Sequence, residues 1–417
     1  MTALARASAA PIAFTQRNPD KKRFVDRATD GRCVPGSARF EDVVLDAAER
    51  QRDLESEPEH QPIGISFKRD ASMSIRIVKA DLTWLRRYVS RWLHATPFTV
   101  AAILFTASPV LAEPVHGSLP AQWNIGAEDC IASPQPPLQL QTYEPQTFIL
   151  RQNPCATFEA NFIYLLIGSD KALLIDTGAV ADPNAMPLAK TVLELLPDKD
   201  DKRLPLLVAH THRHLDHRAG DPQFTSLPST QVVPFDLEGL RAFFGFANWP
   251  NGIAHIDLGG RTVDVIPTPG HNQTHVAFYD DRTGILFSGD FLLPGRLLIE
   301  DAGGYRESAV RVVDFVNARP LTHILGGHIE LNAAGRAYRF GSHYHPDEHR
   351  LELARADLTA LPPAFQRFNG FYARYPNYIL TNPIHNILAL LSAVLVVLSL
   401  AVFGLYRLWR RRRRRRT

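Results

Sequence analysis

The 417 residues carry a formal net charge of +3, yet residues 407–417 hold eight Arg and no acidic residue, which leaves −5 on the remainder. A basic balance that comes from one short tail is no argument for nucleic-acid binding. Length alone does not fix the number of domains. Residues 1–72 are rich in Arg, Asp, Glu, Pro and Ala with little apolar periodicity, so no folded element is expected there. Met73 opens a different pattern. A basic stretch (Arg76, Lys79, Arg86, Arg87, Arg91) leads into an apolar run over 98–107, closed by Val110-Leu111-Ala112, a cleavage pattern of the small-x-small type. This is the three-part layout of a secretory signal peptide over 73–112, with a mature chain starting near Glu113. The apolar run is short for a bilayer span, and Pro109 interrupts its end. Arg86-Arg87 matches a twin-arginine export signal only in the pair itself. Signal peptides sit at the N-terminus, so the placement implies either translation from Met73 or a disordered extension over 1–72. Of Cys33, Cys130 and Cys155, the last two follow the cleavage pattern. In an oxidising compartment they either bridge or stay as two buried thiols.

Residues 113–158, rich in Pro and Gln, are expected as an extended lead-in. A strand over 162–167, a turn over 168–171 and a strand over 172–175 follow. Leu188, Val192, Leu195 and Leu196 place a core-facing helix over 187–196. The apolar run 204–209 reads as a buried strand, and 236–244 as a short helix capped by Asp236. Val263 and Val265 point inward from a strand over 262–266. Strands over 276–279 and 285–288 flank the hairpin turn 280–284. Ala309, Val310, Val313 and Val316 mark an amphipathic helix over 306–317. Strands followed by helices, twice over, suit a layered α/β domain over 159–378.

The uncharged apolar run 387–406 is long enough to cross a bilayer as a helix. The polybasic tail 407–417 that follows belongs on the cytoplasmic side and attracts anionic lipid headgroups. The expectation is a single-pass anchor in a bacterial cytoplasmic membrane, with the folded domain on the periplasmic side. A cleaved C-terminal sorting signal has a similar outline, but the Pro-Glu-Pro or Gly-Gly signature of such signals is missing.

The densest chemistry is His212-Arg213-His214-Leu215-Asp216-His217, just past the strand at 204–209. Three imidazoles and a carboxylate within six residues suit zinc or a similar divalent metal. Alternate residues on an extended loop point to one side. His212 and His214 then share a first metal, while Asp216 and His217 turn toward a second. The bland alternative is a solvated polar loop with incidental histidines.

This H-x-H-x-D-H pattern resembles the signature of the metallo-β-lactamase-fold hydrolases, in particular their glyoxalase II and lactonase-like branch. Four further stretches resemble that family's other motifs, in the right order. They are Asp176-Thr177-Gly178 at a strand end, Pro269-Gly270-His271, Ser288-Gly289-Asp290 and Gly326-Gly327-His328. The resemblance implies an α/β fold, the αβ/βα sandwich, with metals at the sheet edges. It implies two divalent ions, zinc by preference with Fe or Mn as alternatives. By the same resemblance His212, His214 and His271 hold one metal and Asp216, His217 and His328 the other. Asp290 bridges them, and Asp216 and Asp290 count as catalytic. A shared hydroxide would attack a small-molecule ester, thioester, lactone or phosphodiester. Asp176 and His275 orient ligands, and His210 is structural. In β-lactamases of this fold the fourth-motif position is usually not Asp, so Asp290 points away from β-lactam amides. A β-lactamase-type amide hydrolase and a non-catalytic metal-binding or sensing module are the alternatives. The polar segment 341–349, with His343, His345 and His349, offers at most substrate contacts.

Overall fold

Strands buried along their whole length need cover on both faces, and the central strands of this chain's two sheets are of that kind. The computed structural model describes residues 113–120, 122–199 and 202–415. The start region and signal peptide expected over 1–112 lie outside the described residues. The first sheet takes, in order, β1 (Leu138–Glu144), β2 (Thr147–Gln152), β3 (Phe162–Ile167), β4 (Ala172–Ile175), β5 (Leu206–Ala209) and β6 (Thr230–Val232). β1 to β4 pair antiparallel, whereas β4, β5 and β6 run parallel. The second sheet holds β7 (Ala254–Asp257), β8 (Thr262–Pro267), β9 (Val276–Asp280), β10 (Ile285–Gly289), β11 (His323–Gly326) and β12 (Glu352–Leu353). Its order is β12-β11-β10-β9-β8-β7, with only the β10–β11 pair parallel.

Successive side chains on a strand point to opposite faces, and that alternation builds the layers. Leu173 and Ile175 of β4 meet Val263, Val265, Phe278 and Phe287 between the sheets. Leu174 and Val208 point the other way, onto α1 (Leu188–Leu195) through Leu188, Val192 and Leu196. The connections beyond carry α2 (Leu215–Arg218) and α3 (Leu237–Phe244). Asp236 caps α3 as its sequence suggests, accepting from the Gly239 N–H at 2.8 Å. The outer face of the second sheet, with Ile266, Tyr279 and Leu286, packs on α4 (Ala302–Asn317) and α5 (Arg355–Arg367). Helix, sheet, sheet and helix form the αβ/βα sandwich.

The structure departs from the sequence reading at several points. Residues 138–152, read as lead-in, form β1 and β2 and extend the first sheet. α4 starts at Ala302, one residue after its cap Asp301, whose carboxylate accepts from the Gly303 N–H at 2.9 Å. Its buried stripe runs through Tyr305, Ala309, Val312 and Phe315, while Val310 is 44% exposed. Residues 355–367, assigned no element above, form α5 with Pro362 and Pro363 inside it. Of the two alternatives left open for Cys130 and Cys155, the structure has the bridge, which ties the lead-in to the loop after β2.

One polar cluster joins the two sheets. Arg261, on the turn between β7 and β8, donates through Nε and Nη2 to both oxygens of Asp280, each at 2.7 Å. The same guanidinium donates to Thr147 Oγ1 at 2.7 Å and to the carbonyls of Gln146 and Ile167 in the first sheet. Arg261 is 3% exposed and Asp280 fully buried, so every donor needs a partner and finds one.

After the strand Ile379–Thr381 the chain enters α6 (Pro383–Arg414), capped by Asn382, which accepts from the His385 N–H at 2.9 Å. Among the described residues this is the one helix long and apolar enough to cross a membrane, and no residue of it is buried.

Removing the Arg261 guanidinium strands a buried carboxylate. Arg261→Ala should therefore cost about 3–5 kcal/mol of stability. Chemical denaturation of the wild type and variant reads this directly, and a loss below about 1 kcal/mol would show that the cluster does not join the sheets.

Candidate metal centre

The site forms where strand ends from the two sheets converge. The H-x-H-x-D-H segment leaves β5, while His271, Asp290 and His328 follow β8, β10 and β11. The structure brings all seven side chains into three overlapping groups whose ligand atoms lie within 4.8 Å of one another and could hold metal ions. The groups are His212, His214 and His271; His212, His217 and Asp290; and Asp216, His217 and His328. His212 Nε2 stands 2.8 Å from His214 Nδ1 and 3.2 Å from His271 Nε2. His217 Nε2 stands 3.3 Å from His328 Nε2 and 3.2 Å from Asp216 Oδ2. Asp290 lies between the two sets. Its Oδ1 is 3.4 Å from His217 Nε2, and its Oδ2 is 3.5 Å from His271 Nε2.

The far ring nitrogens are fixed by partners behind the site. His217 Nδ1 donates to Asp176 Oδ2 at 2.8 Å, His271 Nδ1 to the Leu298 carbonyl at 3.0 Å, and His328 Nδ1 to the Glu159 carbonyl at 2.7 Å. Each bond sets the tautomer and turns Nε2 into the cluster. Asp176, in left-handed backbone with φ 66°, also accepts from the Thr211 N–H and hydroxyl at 2.7 and 2.9 Å. One carboxylate thus fixes both ends of the loop. His275 lies outside the three groups. Its Nε2 accepts from the Asp290 N–H at 3.2 Å, and its Nδ1 lies 2.7 Å from Thr268 Oγ1. It positions the backbone that presents Asp290.

Two observations test whether this donor set fits a cation. Asp290 Oδ1 is buried and has no hydrogen-bond partner among the described residues. Gly327 leaves the space in front of it open, since a Cβ there would lie 2.6 Å from Asp290 Oδ1 and 2.9 Å from His217 Cε1. Buried nitrogens and carboxylate oxygens, one of them orphaned and facing clear space, suit a divalent cation.

The electrostatics divide the centre. Burial holds His212 and His275 well below the usual imidazole range and lowers His271 as well. Burial also opposes charge on His217, but Asp216, Asp290 and Asp176 outweigh it and hold that ring well above its usual value. In the same way Asp290 and Asp216 overcome the burial of His328 and push it up to about 10. Burial opposes charge on Asp216 and Asp290, yet His217 and His328 keep both carboxylates anionic.

Other expected residues sit apart from the cluster. His210 belongs to none of the three groups, and its Nε2 lies 2.8 Å from Asp221 Oδ1. His345 is buried, with Nδ1 2.9 Å from Glu348 Oε1 and its ring stacked on Tyr338 at 4.2 Å. Glu348 is held in turn by both Arg151 terminal nitrogens at 2.6 Å. His345 still lines a cavity of about 30 Å³ that contains His328, Glu159 and Phe340. The sequence reading missed Asn161, whose Nδ2 lies 3.4 Å from His328 Nε2 and 3.5 Å from Asp216 Oδ2. An isolated Asn before a strand carries no signal of its own.

The family model described as Metallo-beta-lactamase superfamily matches residues 156–363. A human protein named acyl-coenzyme A thioesterase MBLAC2 is 29% identical over 218 residues, covering 44% of this chain and 77% of its own. A hydroxyacylglutathione hydrolase of Methylobacillus flagellatus is 31% identical over 214 residues, covering 50% of this chain and 76% of its own. A solved metallo-beta-lactamase from Pontibacter korlensis aligns at TM-score 0.38 and 16% identity, over 55% of this chain and 100% of that one.

Asp176→Asn should reverse one of the hydrogen bonds that Asp176 makes, turning the His217 tautomer so that an N–H points into the centre. Metal affinity should fall roughly 10- to 100-fold with the melting curve little changed. Chelator competition on the purified protein measures it, and unchanged affinity would remove Asp176 from the site. Protons on His217 and His328 compete with a cation, so affinity should rise with pH toward about 10. Zinc added to lightly buffered metal-free protein at pH 8 should release protons. Zinc uptake with no acidification would contradict the protonated state of these two rings.

Proposed function

Because the chain belongs to the metallo-β-lactamase superfamily of hydrolases, we propose that it is an exported, membrane-anchored dinuclear enzyme that hydrolyses an acyl thioester or ester. The observation that carries this is the Asp290 carboxylate, set with one oxygen toward His217 and the other toward His271. His212, His214 and His271 would hold one ion and Asp216, His217 and His328 the other, with Asp290 shared. Zinc is the ion that such nitrogen-rich sets favour, with Fe or Mn as alternatives. Two bound divalent ions would lower the pKa of a shared water toward neutrality and polarise the carbonyl under attack.

The chain's own residues do the positioning. Asp176, Leu298 and Glu159 keep the imidazoles oriented, and His275 holds the backbone N–H of Asp290. Asp216 and Asp290 stay anionic across the neutral range, so the donors need no activation. The relatives named for acyl-coenzyme A and hydroxyacylglutathione support an acyl thioester as the substrate class. α6 and its terminal arginines support an anchor with the tail in the cytoplasm. The Cys130–Cys155 bridge supports a domain on the oxidising, extracytoplasmic side.

Asp290→Asn removes the anionic bridge at nearly constant size. The variant should bind fewer than two metals, and its turnover of acyl thioesters should drop by at least about tenfold. Metal analysis beside a thioester, lactone and phosphodiester screen checks this. Two retained metals with full turnover would overturn the bridging role. Truncation after Thr381 should release a soluble, active domain, and activity lost together with intact folding would tie catalysis to the helix.

A further inference from the structure

The junction between α6 and the domain leaves no room for a linker. The run 387–406 rises about 30 Å as a helix, the thickness of a bilayer's hydrocarbon core. The residues 383–386 before it rise only about 6 Å, the depth of one headgroup layer. Directly before them lies the strand Ile379–Thr381, central in a small sheet between Arg296–Leu298 and Tyr372–Arg374. The first turn of the helix is also tied down. His385 Nδ1 donates to the Gly370 carbonyl at 2.9 Å, and Asn386 Nδ2 donates to the Phe371 carbonyl at 3.2 Å and to Thr381 Oγ1 at 3.1 Å.

The small sheet's last row before the helix is Leu298, Thr381 and Tyr372, in register across the three strands. The row beside it, Leu297, Leu380 and Ala373, packs into the core. The last row points outward, with Leu298 37% and Tyr372 52% exposed, and Phe371 next to it 44% exposed. Tyrosine and phenylalanine beside the start of a spanning helix suit the membrane interface. The same row leads into the metal centre. Leu298 supplies the carbonyl that holds His271, and Glu300 Oε1, two residues on, lies 3.6 Å from His214 Nε2. Tyr372 and Leu298 are two strand spacings apart, about 10 Å.

Resting on the reading that α6 spans a bilayer, we propose that the domain sits flush on that bilayer, with Leu298, Thr381 and Tyr372 in the headgroup layer. The substrate is then an acyl amphiphile. Its chain stays among the lipids, while its thioester or ester reaches the His214 and His271 side of the centre past Leu298. Hydrolysis bonds a water oxygen to the acyl carbon and breaks the acyl C–S or C–O bond. The fatty acid stays in the bilayer, and the leaving group takes up a proton and departs as a polar thiol or alcohol.

The full chain in vesicles of phosphatidylcholine and phosphatidylglycerol tests this. An environment-sensitive fluorophore on Tyr372→Cys should be quenched by headgroup spin-labelled lipid at least about threefold more than one on Lys190→Cys, an exposed site on α1. The wild type should favour a palmitoyl over an acetyl thioester by at least about tenfold. A flexible insertion of about ten Gly and Ser residues between Thr381 and Asn382 should abolish that preference and leave acetyl turnover unchanged. A protein that stays with the vesicles through a carbonate wash, but shows neither the quenching nor the preference, overturns the flush placement alone. A protein released by the wash overturns the spanning reading, and this inference with it.

Discussion

Imidazole nitrogens and carboxylates do not gather in a buried cleft unaided. His212 Nε2 and His214 Nδ1 face each other at 2.8 Å, and His217 Nε2 and His328 Nε2 at 3.3 Å. Each such contact requires a proton or a cation between two lone pairs, and the rings of His212, His217 and His328 have lost their water. The arrangement persists because the far nitrogens of His217, His271 and His328 are held from behind by the Asp176 carboxylate and the Leu298 and Glu159 carbonyls, all in other segments. The near groups also divide by origin. Four come from the loop after β5 and the short α2 that follows it, and His271, Asp290 and His328 from strand ends of the second sheet. The centre therefore exists only when both sheets are docked. The Arg261–Asp280 cluster and the apolar layer between the sheets belong to the site's support as much as Asp176 does.

Much of this was legible in the sequence wherever chemistry and periodicity coincide. The buried strands read as continuous apolar runs because both faces are covered, and the ligands stand at their ends. α1 and α3 were visible through helical spacing and an Asp cap. What stayed hidden depends on partners far away in the chain. β1 alternates polar and apolar residues among Pro and Gln, β2 has only the short apolar run Phe148-Ile149-Leu150, and pairing with β3 makes them part of the sheet. The Gly303-Gly304 pair hid the first turn of α4; Ala309 and Val316 are buried as expected, while Val312 and Phe315 line the core in place of Val310. The Leu298 and Glu159 carbonyls that fix two ligands are backbone atoms, so no residue type announces them. His345 looked like a free polar group because its partners, Glu348 and then Arg151, are read only from the packed structure.

Two glycines at the centre bear on how such a site can change over generations. Gly289, at φ 50°, lies where a Cβ would meet the Thr211 side chain at 2.6 Å, and Gly327 faces Asp290 Oδ1 at the same separation. Neither position admits another side chain without moving a ligand or its support. Variation in what this scaffold accepts is thereby steered away from the centre toward its rim. There Phe340 is 84% exposed and edge-on to Phe158 at 5.1 Å, so new side chains could be tried without disturbing the chemistry. The inner wall is closed to innovation, and the evolutionary freedom of the enzyme lies at its lip.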